Sequence, residues 1–233
     1  MAVGEGRRFL IAIDGTAGSG KTTIGQILAA QLKIPYLDTG AMYRAVTLLA
    51  LRRGVAMSDN AGLAAIAGNL DFISRDATLE EEKDGRQYTV LVEGEDVSQL
   101  LRSAEVEQWV SPVATVPEVR AELVARQREI ARQAGGIIMI GRDIGSVVLP
   151  EADLKVYLDA SPEVRAQRRR QQETQTKTAE EAQQGLEERD RIDRSRAAAP
   201  LVIPPGALVI NTDNLNQQEV TEKINMALTA AIN

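Results

Sequence analysis

Cysteine and histidine are both absent from the 233 residues, and the aromatic residues amount to two Phe, one Trp and four Tyr. Without cysteine there is no disulfide and no thiolate nucleophile, which fits a reducing compartment. Without histidine there is no imidazole base, no Ser-His pairing and no His-metal site, so any catalysis rests on Asp, Glu, Lys, Arg and bound metal. A basic surplus is also missing: 27 Lys and Arg stand against 33 Asp and Glu, a formal net charge of −6 with pI near 5.0. That balance argues against a nucleic-acid or anionic-membrane surface. No apolar run approaches membrane-spanning length, and Met1 to Arg8 is polar, without the apolar core of a signal peptide. The chain is expected to be soluble and cytoplasmic.

What is present is organised around Phe9 to Leu32, FLIAIDGTAGSGKTTIGQILAAQL. Phe9 to Ile13 reads as a buried parallel strand, and Ile24, Ile27, Leu28 and Leu32 recur at helical spacing. Between them Gly15-Thr16-Ala17-Gly18-Ser19-Gly20-Lys21-Thr22 fills every fixed position of the phosphate-binding loop G-x-x-x-x-G-K-[ST]. A polyphosphate has to be surrounded by backbone N–H groups, and glycine lets the chain turn with no Cβ in the way. The following helix adds the partial positive charge of its N-terminus. Lys21 can reach the β- and γ-phosphates, and Thr22 is the candidate magnesium ligand, with Asp38 as a further possibility. The stretch predicts binding of a nucleoside triphosphate over Gly15–Thr23, so Thr23 is included with the loop.

Strand and helix signals alternate along the rest of the chain. Ile34 to Leu37 is a short strand, and the helix after Asp38-Thr39-Gly40 runs to about Arg53. Ser58 or Asp59 is a cap for an alanine-rich helix. LDFIS, RQYTVLV and EDVS predict a small antiparallel insert, with Asp84-Gly85 as a hairpin signal and Glu80 to Asp84 as its solvated tip. Helices follow at Ser103 and Pro117, then strands at Ile137–Ile140, Leu154–Leu158 and Ala207–Ile210. The Ser161-Pro162 helix runs into Gln171–Lys177, read as a mobile loop, and Thr178-x-x-Glu181 predicts a capping box. Arg189, Asp193 and Arg196 are spaced to share one helix face, and a last helix starts near Asn216. The fold expected is α/β: a doubly wound, five-stranded parallel sheet with helices on both faces. Ligands of such sheets gather at the carboxyl ends of strands, so Asp14, Asp38 and Asp143 are expected around one crevice.

No lysine is preceded by asparagine, which removes the Asn-Lys-x-Asp guanine signature. Arginine is plentiful instead at strand ends and on polar helices, notably Arg44, Arg120, Arg142, Arg165, Arg168, Arg189 and Arg196. Several guanidiniums near a phosphate site suit a second phosphorylated substrate, because phosphoryl transfer depends on positioning and charge neutralisation. Arg169 and Arg170 read equally well as surface charges paired with glutamates. The residues leave open a kinase for another small acceptor, such as UMP, AMP or a metabolite hydroxyl, and an ATP-binding module without turnover.

Five segments, DTGAMYR, EGEDVS, SPVATVPEVR, GRDIGSVV and RDRIDRSRAAAPL, together resemble the bacterial cytidylate kinase family in family order. The resemblance implies a single nucleoside monophosphate kinase domain over residues 1–233, with a β insert at 70–104 and a lid at 161–185. It implies transfer of the γ-phosphoryl of ATP to CMP or dCMP with Mg2+, by a monomer with no nucleic-acid or membrane partner. By the same resemblance Ser111, Arg120 and Asp143 read the cytosine, Thr39, Arg44, Arg142 and Arg196 hold the α-phosphate side, and Tyr43 also binds CMP. Arg189 and Asp193 take the ribose, and Arg165 and Arg168 close over the transferring phosphate beside Lys21. A carboxylate facing the cytosine amine would reject UMP, by up to roughly 10⁴-fold if fully desolvated and by less if hydrated. Thr22 stands where some family members have glycine, and Arg170 is an added lid arginine.

Overall fold

The computed structural model describes residues 9–84, 86, 88–172, 178–196 and 198–232. The chain divides into two compact units: one takes in the chain up to Leu37 and again from Arg128, the other is Asp38–Gln127.

In the first unit, β1 (Leu10–Gly15) lies at the centre of a five-stranded sheet with β2 (Tyr36–Asp38), β6 (Ile137–Gly141), β7 (Leu154–Asp159) and β8 (Leu208–Asn211). The order is β2-β6-β1-β7-β8, and β1 pairs in parallel with both β6 and β7, as β7 does with β8. Central parallel strands are covered on both faces, which is why β1 and β6 read as uninterrupted apolar runs. Ile11, Ile13, Ile138, Ile140, Val156 and Leu158 join one core with Ile24 and Leu28 of α1 (Lys21–Leu32) and Val220, Ile224 and Leu228 of α8 (Gln217–Ile232). Gly25 lets α1 close on the sheet: a Cβ there would meet the Tyr36 ring at 2.8 Å and Ile140 at 2.9 Å.

The same unit holds α6 (Pro162–Gln172) and α7 (Ala179–Ser195), which pack together. The capping box at Thr178 and Glu181 is formed, each side chain bonding the other's backbone N–H. Helix α6 continues through Gln172, so the expected loop does not begin at Gln171; residues 173–177 of it lie outside the described residues. Helix α7 ends at Ser195, so Arg196 follows it as the C-cap and still lies beside Asp193. It caps the helix in extended backbone, φ −57° and ψ 131°, one residue beyond the last turn.

In the second unit, α2 (Thr39–Arg52) packs against α3 (Asn60–Gly68) and α4 (Ala104–Val113). Its burial extends almost all round, from Ala41, Met42 and Tyr43 to Leu48 and Leu49, as expected of a core helix. Asp59 is the α3 cap, accepting the Gly62 N–H at 2.9 Å, and Ser103 caps α4. The insert is a three-stranded antiparallel sheet of β3 (Phe72–Asp76), β4 (Tyr88–Val92) and β5 (Glu95–Asp96). Its tip is more ordered than a bare hairpin: Glu81–Asp84 forms a 3₁₀ turn, with Glu81 bonded to Thr78 and Arg75. Gly85 of the Asp84-Gly85 signal lies outside the described residues. Helix α5 (Pro117–Ala134) opens at Pro117, where the missing N–H costs nothing.

Candidate active site

The phosphate loop leaves β1 at Gly15, where φ is +149° and a Cβ would lie 2.0 Å from the Leu158 carbonyl oxygen of β7. Only glycine fits there. Thr16, Ser19 and Lys21 are buried, and Thr22 and Thr23 are half-buried in the first turn of α1. The Lys21 ammonium donates to the Thr16 carbonyl at 2.5 Å and to Ser19 Oγ at 3.3 Å, so its charge is folded over the loop. The Thr16 hydroxyl donates to Asp159 at the end of β7, at 3.2 Å.

Two arginines expected on a lid are tied into this loop and its surroundings. Arg165, only 5% exposed, donates to the Ala17 carbonyl at 3.1 Å and to Asp190 of α7 at 2.5 Å. Asp190 in turn accepts the Ala17 N–H at 3.4 Å. Arg168 donates to the Thr212 hydroxyl and carbonyl, at 2.9 and 2.8 Å, and Thr212 itself donates to the Ser19 carbonyl. A cavity of about 780 Å³ opens beside them at the carboxyl ends of β7 and β8, lined by Asp159, Ser161, Arg165, Asp190, Asn211 and Asp213.

Beyond β6 the chain makes a single π-helical turn, Ile144–Val148, with Asp143 at its cap. Such turns are rare and recur at functional sites. Asp143 is buried, and Arg142 just before it bonds Asp193 of α7 at 2.8 Å. Burial would raise the Asp193 carboxyl, but Arg142 and Arg196 outweigh it and hold the group below the usual carboxylate range. The structure thus brings Arg142, Asp193 and Arg196 together; Arg189 is half-buried one turn earlier on α7. Asp14 and Asp143 are near enough to repel one another.

Within the Asp38–Gln127 unit, Asp38 caps α2, its Oδ1 accepting the Gly40 N–H at 2.9 Å, and Thr39 is buried as the first helical residue. Arg44 donates to the Leu101 carbonyl at 2.9 Å and pairs with Glu107 of α4 at 2.7 Å. Arg120 is 4% exposed and stands 5.5 Å from the centroid of the Tyr43 ring, a cation–π contact. Ser111 is buried on α4. Tyr88 has its phenol raised by burial and by the nearby Asp38 charge.

Sequence reasoning passed over Asp159, Asp190, Glu107 and Thr212. The only sequence signal for Asp190 was its membership of the RDRIDR run; the other three carried none, since each gains its partner through long-range packing.

A family model described as cytidylate kinase matches residues 11–230. The chain belongs to the cytidylate kinase family. Among curated proteins, it is 48% identical over 223 residues to a bifunctional pantoate ligase/cytidylate kinase of a Synechococcus strain, covering 94% of this chain. It spans only 40% of that relative's length. It is 44% identical over 217 residues to the cytidylate kinase of Pelotomaculum thermopropionicum, covering 92% of this chain and 93% of that one. A crystal structure of an uncharacterized protein from Eubacterium ventriosum superposes with a TM-score of 0.55 at 10% identity, covering 95% of this chain and 99% of that one. That likeness speaks to the fold. No helix among the described residues is long and apolar enough to cross a membrane.

Proposed function

We propose that this protein transfers the γ-phosphoryl group of ATP to CMP, and also to dCMP, giving ADP and CDP or dCDP. The observation that carries the reading is the buried phosphate loop, with Lys21 folded over it, in a chain of the cytidylate kinase family. An oxygen of the acceptor phosphate attacks the γ-phosphorus, and the bond to the β–γ bridging oxygen breaks. No covalent enzyme intermediate is needed, because positioning and charge neutralisation supply the catalysis.

In the unit bearing the loop, Gly15–Thr23 binds the ATP phosphates, and Lys21 exchanges its Thr16 and Ser19 partners for phosphate oxygens. Arg142, Arg165 and Arg168 neutralise the transferring group. Asp143 accepts the cytosine amine, Arg189 and Asp193 bind the sugar, and Arg196 faces the acceptor phosphate. In the other unit Thr39, Tyr43, Arg44, Ser111 and Arg120 are assigned to the acceptor. Magnesium fits the donor set. Thr22 offers a hard hydroxyl oxygen of the kind magnesium takes and would be the residue that holds it. When bound, it offsets negative charge on the β- and γ-phosphates. We assign the protein to the cytoplasm as a monomer; its lack of cysteine supports the compartment.

The test is ADP production from ATP and magnesium with CMP, dCMP, UMP and AMP supplied at equal concentration. Strong turnover with CMP and dCMP, and little with UMP or AMP, is expected. Equal turnover with UMP removes the cytosine readout by Asp143, and no turnover with any of them removes the kinase reading.

A further inference from the structure

Asp14 takes none of the roles above. It sits in β1 immediately before the phosphate loop, fully buried, with one carboxylate oxygen accepting the Ile144 N–H and the other the Gly145 N–H, both at 2.7 Å. Those two N–H groups open the π-helical turn that Asp143 caps, and Arg142 precedes it by one residue. A carboxylate that holds two successive N–H groups fixes the position and tilt of both peptide planes. The first of those planes carries the Cα of Asp143, and Asp14 is also in register with Gly141 across the β1–β6 pair, so Arg142 and Asp143 lie between two points that the Asp14 residue holds.

The arrangement costs stability. Burial raises the Asp14 carboxyl to about 6, against the pull of the two N–H groups; Asp143 raises it further, and Lys21 lowers it. Ionised Asp14 is thus less well solvated in the native protein than in the unfolded chain. Only an ionised carboxylate offers an acceptor to both N–H groups at once with no donor of its own.

We propose that Asp14 is a positioning residue for the acceptor nucleotide, clamping the segment Gly141–Gly145 so that Arg142 and Asp143 are held in fixed register with the phosphate loop. The inference rests on the acceptor-binding role assigned above to those two residues. Asp14 itself touches no substrate and acts through them.

The experiment compares Asp14→Asn with Asp143→Ala in steady-state kinetics with CMP, UMP and ATP. Asparagine keeps the shape but turns an N–H₂ toward one of the two backbone donors. We expect the KM for CMP to rise about tenfold or more, the measure of a lost charge-assisted hydrogen bond. The preference for CMP over UMP narrows in both variants, and the KM for ATP stays within about twofold of the parent. Parallel rises in both KM values, or an unchanged KM for CMP, overturn the inference. If Asp143→Ala narrows the preference and Asp14→Asn does not, positioning fails alone; if Asp143→Ala leaves the preference intact, the acceptor reading fails and takes the inference with it.

Should Asp14→Asn not fold, the unsubstituted protein decides. Its Ile144 and Gly145 amide resonances are expected to shift together as Asp14 takes up its proton at about 6. Cytidine, which has no phosphate to titrate, loses affinity over the same interval. Amides that titrate while cytidine affinity holds overturn the inference.

Discussion

The surroundings of the phosphate loop and the β insert use charge in opposite ways. Around the loop, Asp14, Lys21, Arg165, Asp190 and Asp193 are all under a tenth exposed, and each is bonded to backbone, to an opposite charge or to both. In the insert, Arg75 pairs with Glu81, and Arg86 with Asp84 and Asp96, on the solvated face of a three-stranded sheet. Buried charges are costly to desolvate and so are held in one geometry, whereas exposed pairs contribute little. Preorganised charge therefore lies beside the phosphate loop, and the insert's charges form solvated surface pairs.

The contrast breaks most readily at Lys21. Lys21→Ala is expected to lower kcat about a thousandfold, as for loss of a donor aimed at developing charge, with the far-UV circular dichroism unchanged. A rate near the parent's would sink the assignment of the loop. Next comes Asp190→Ala, which strands the Arg165 guanidinium in the interior and should cost roughly 3–5 kcal/mol in urea unfolding. A loss no larger than that of a surface pair would mean that Arg165 finds water.

Asp14 sharpens the comparison through pH. Its native pKa lies above the unfolded value of 3.8, at about 6, so its contribution is fully present below 3.8 and is lost as pH rises through about 6. Between pH 4 and 7 the stability difference between parent and Asp14→Asn should move toward the variant by up to about 3 kcal/mol. A difference independent of pH would refute the burial argument. The smallest effect is expected at Arg75→Ala, where the melting temperature should hold within the error of the measurement, since Arg75 is exposed and Glu81 is only half-buried. A clear drop there would erase the distinction between the two regions.

Much of the fold was legible because its signals are local. Gly15 to Thr22 names a strand-to-helix turn, Thr178 and Glu181 name a helix start, and the apolar run Ile137 to Ile140 names a central strand. What local pattern left out was decided by neighbours. Helical spacing did not show that α7 stops at Ser195, where Leu201 N–H bonds back to the Asp193 carbonyl and Arg196 becomes the cap. Composition read Glu80 to Asp84 as a solvated tip, and none of Glu81–Asp84 is buried; it did not show the 3₁₀ turn in which Glu81 bonds Arg75 and Thr78.

The candidate site divides along the same line. Sequence by itself determined the phosphate loop, the parallel sheet, the antiparallel insert and the family, because these rest on residue types at short fixed spacings. Only the tertiary structure decided that Asp14 holds the turn after β6, that Asp190 grips both Arg165 and Ala17, and that Asp193 is shared by Arg142 and Arg196. Most of those contacts join residues dozens to more than a hundred positions apart. The free energy that selects them, burial of a charge together with its partners, has no local imprint on the chain.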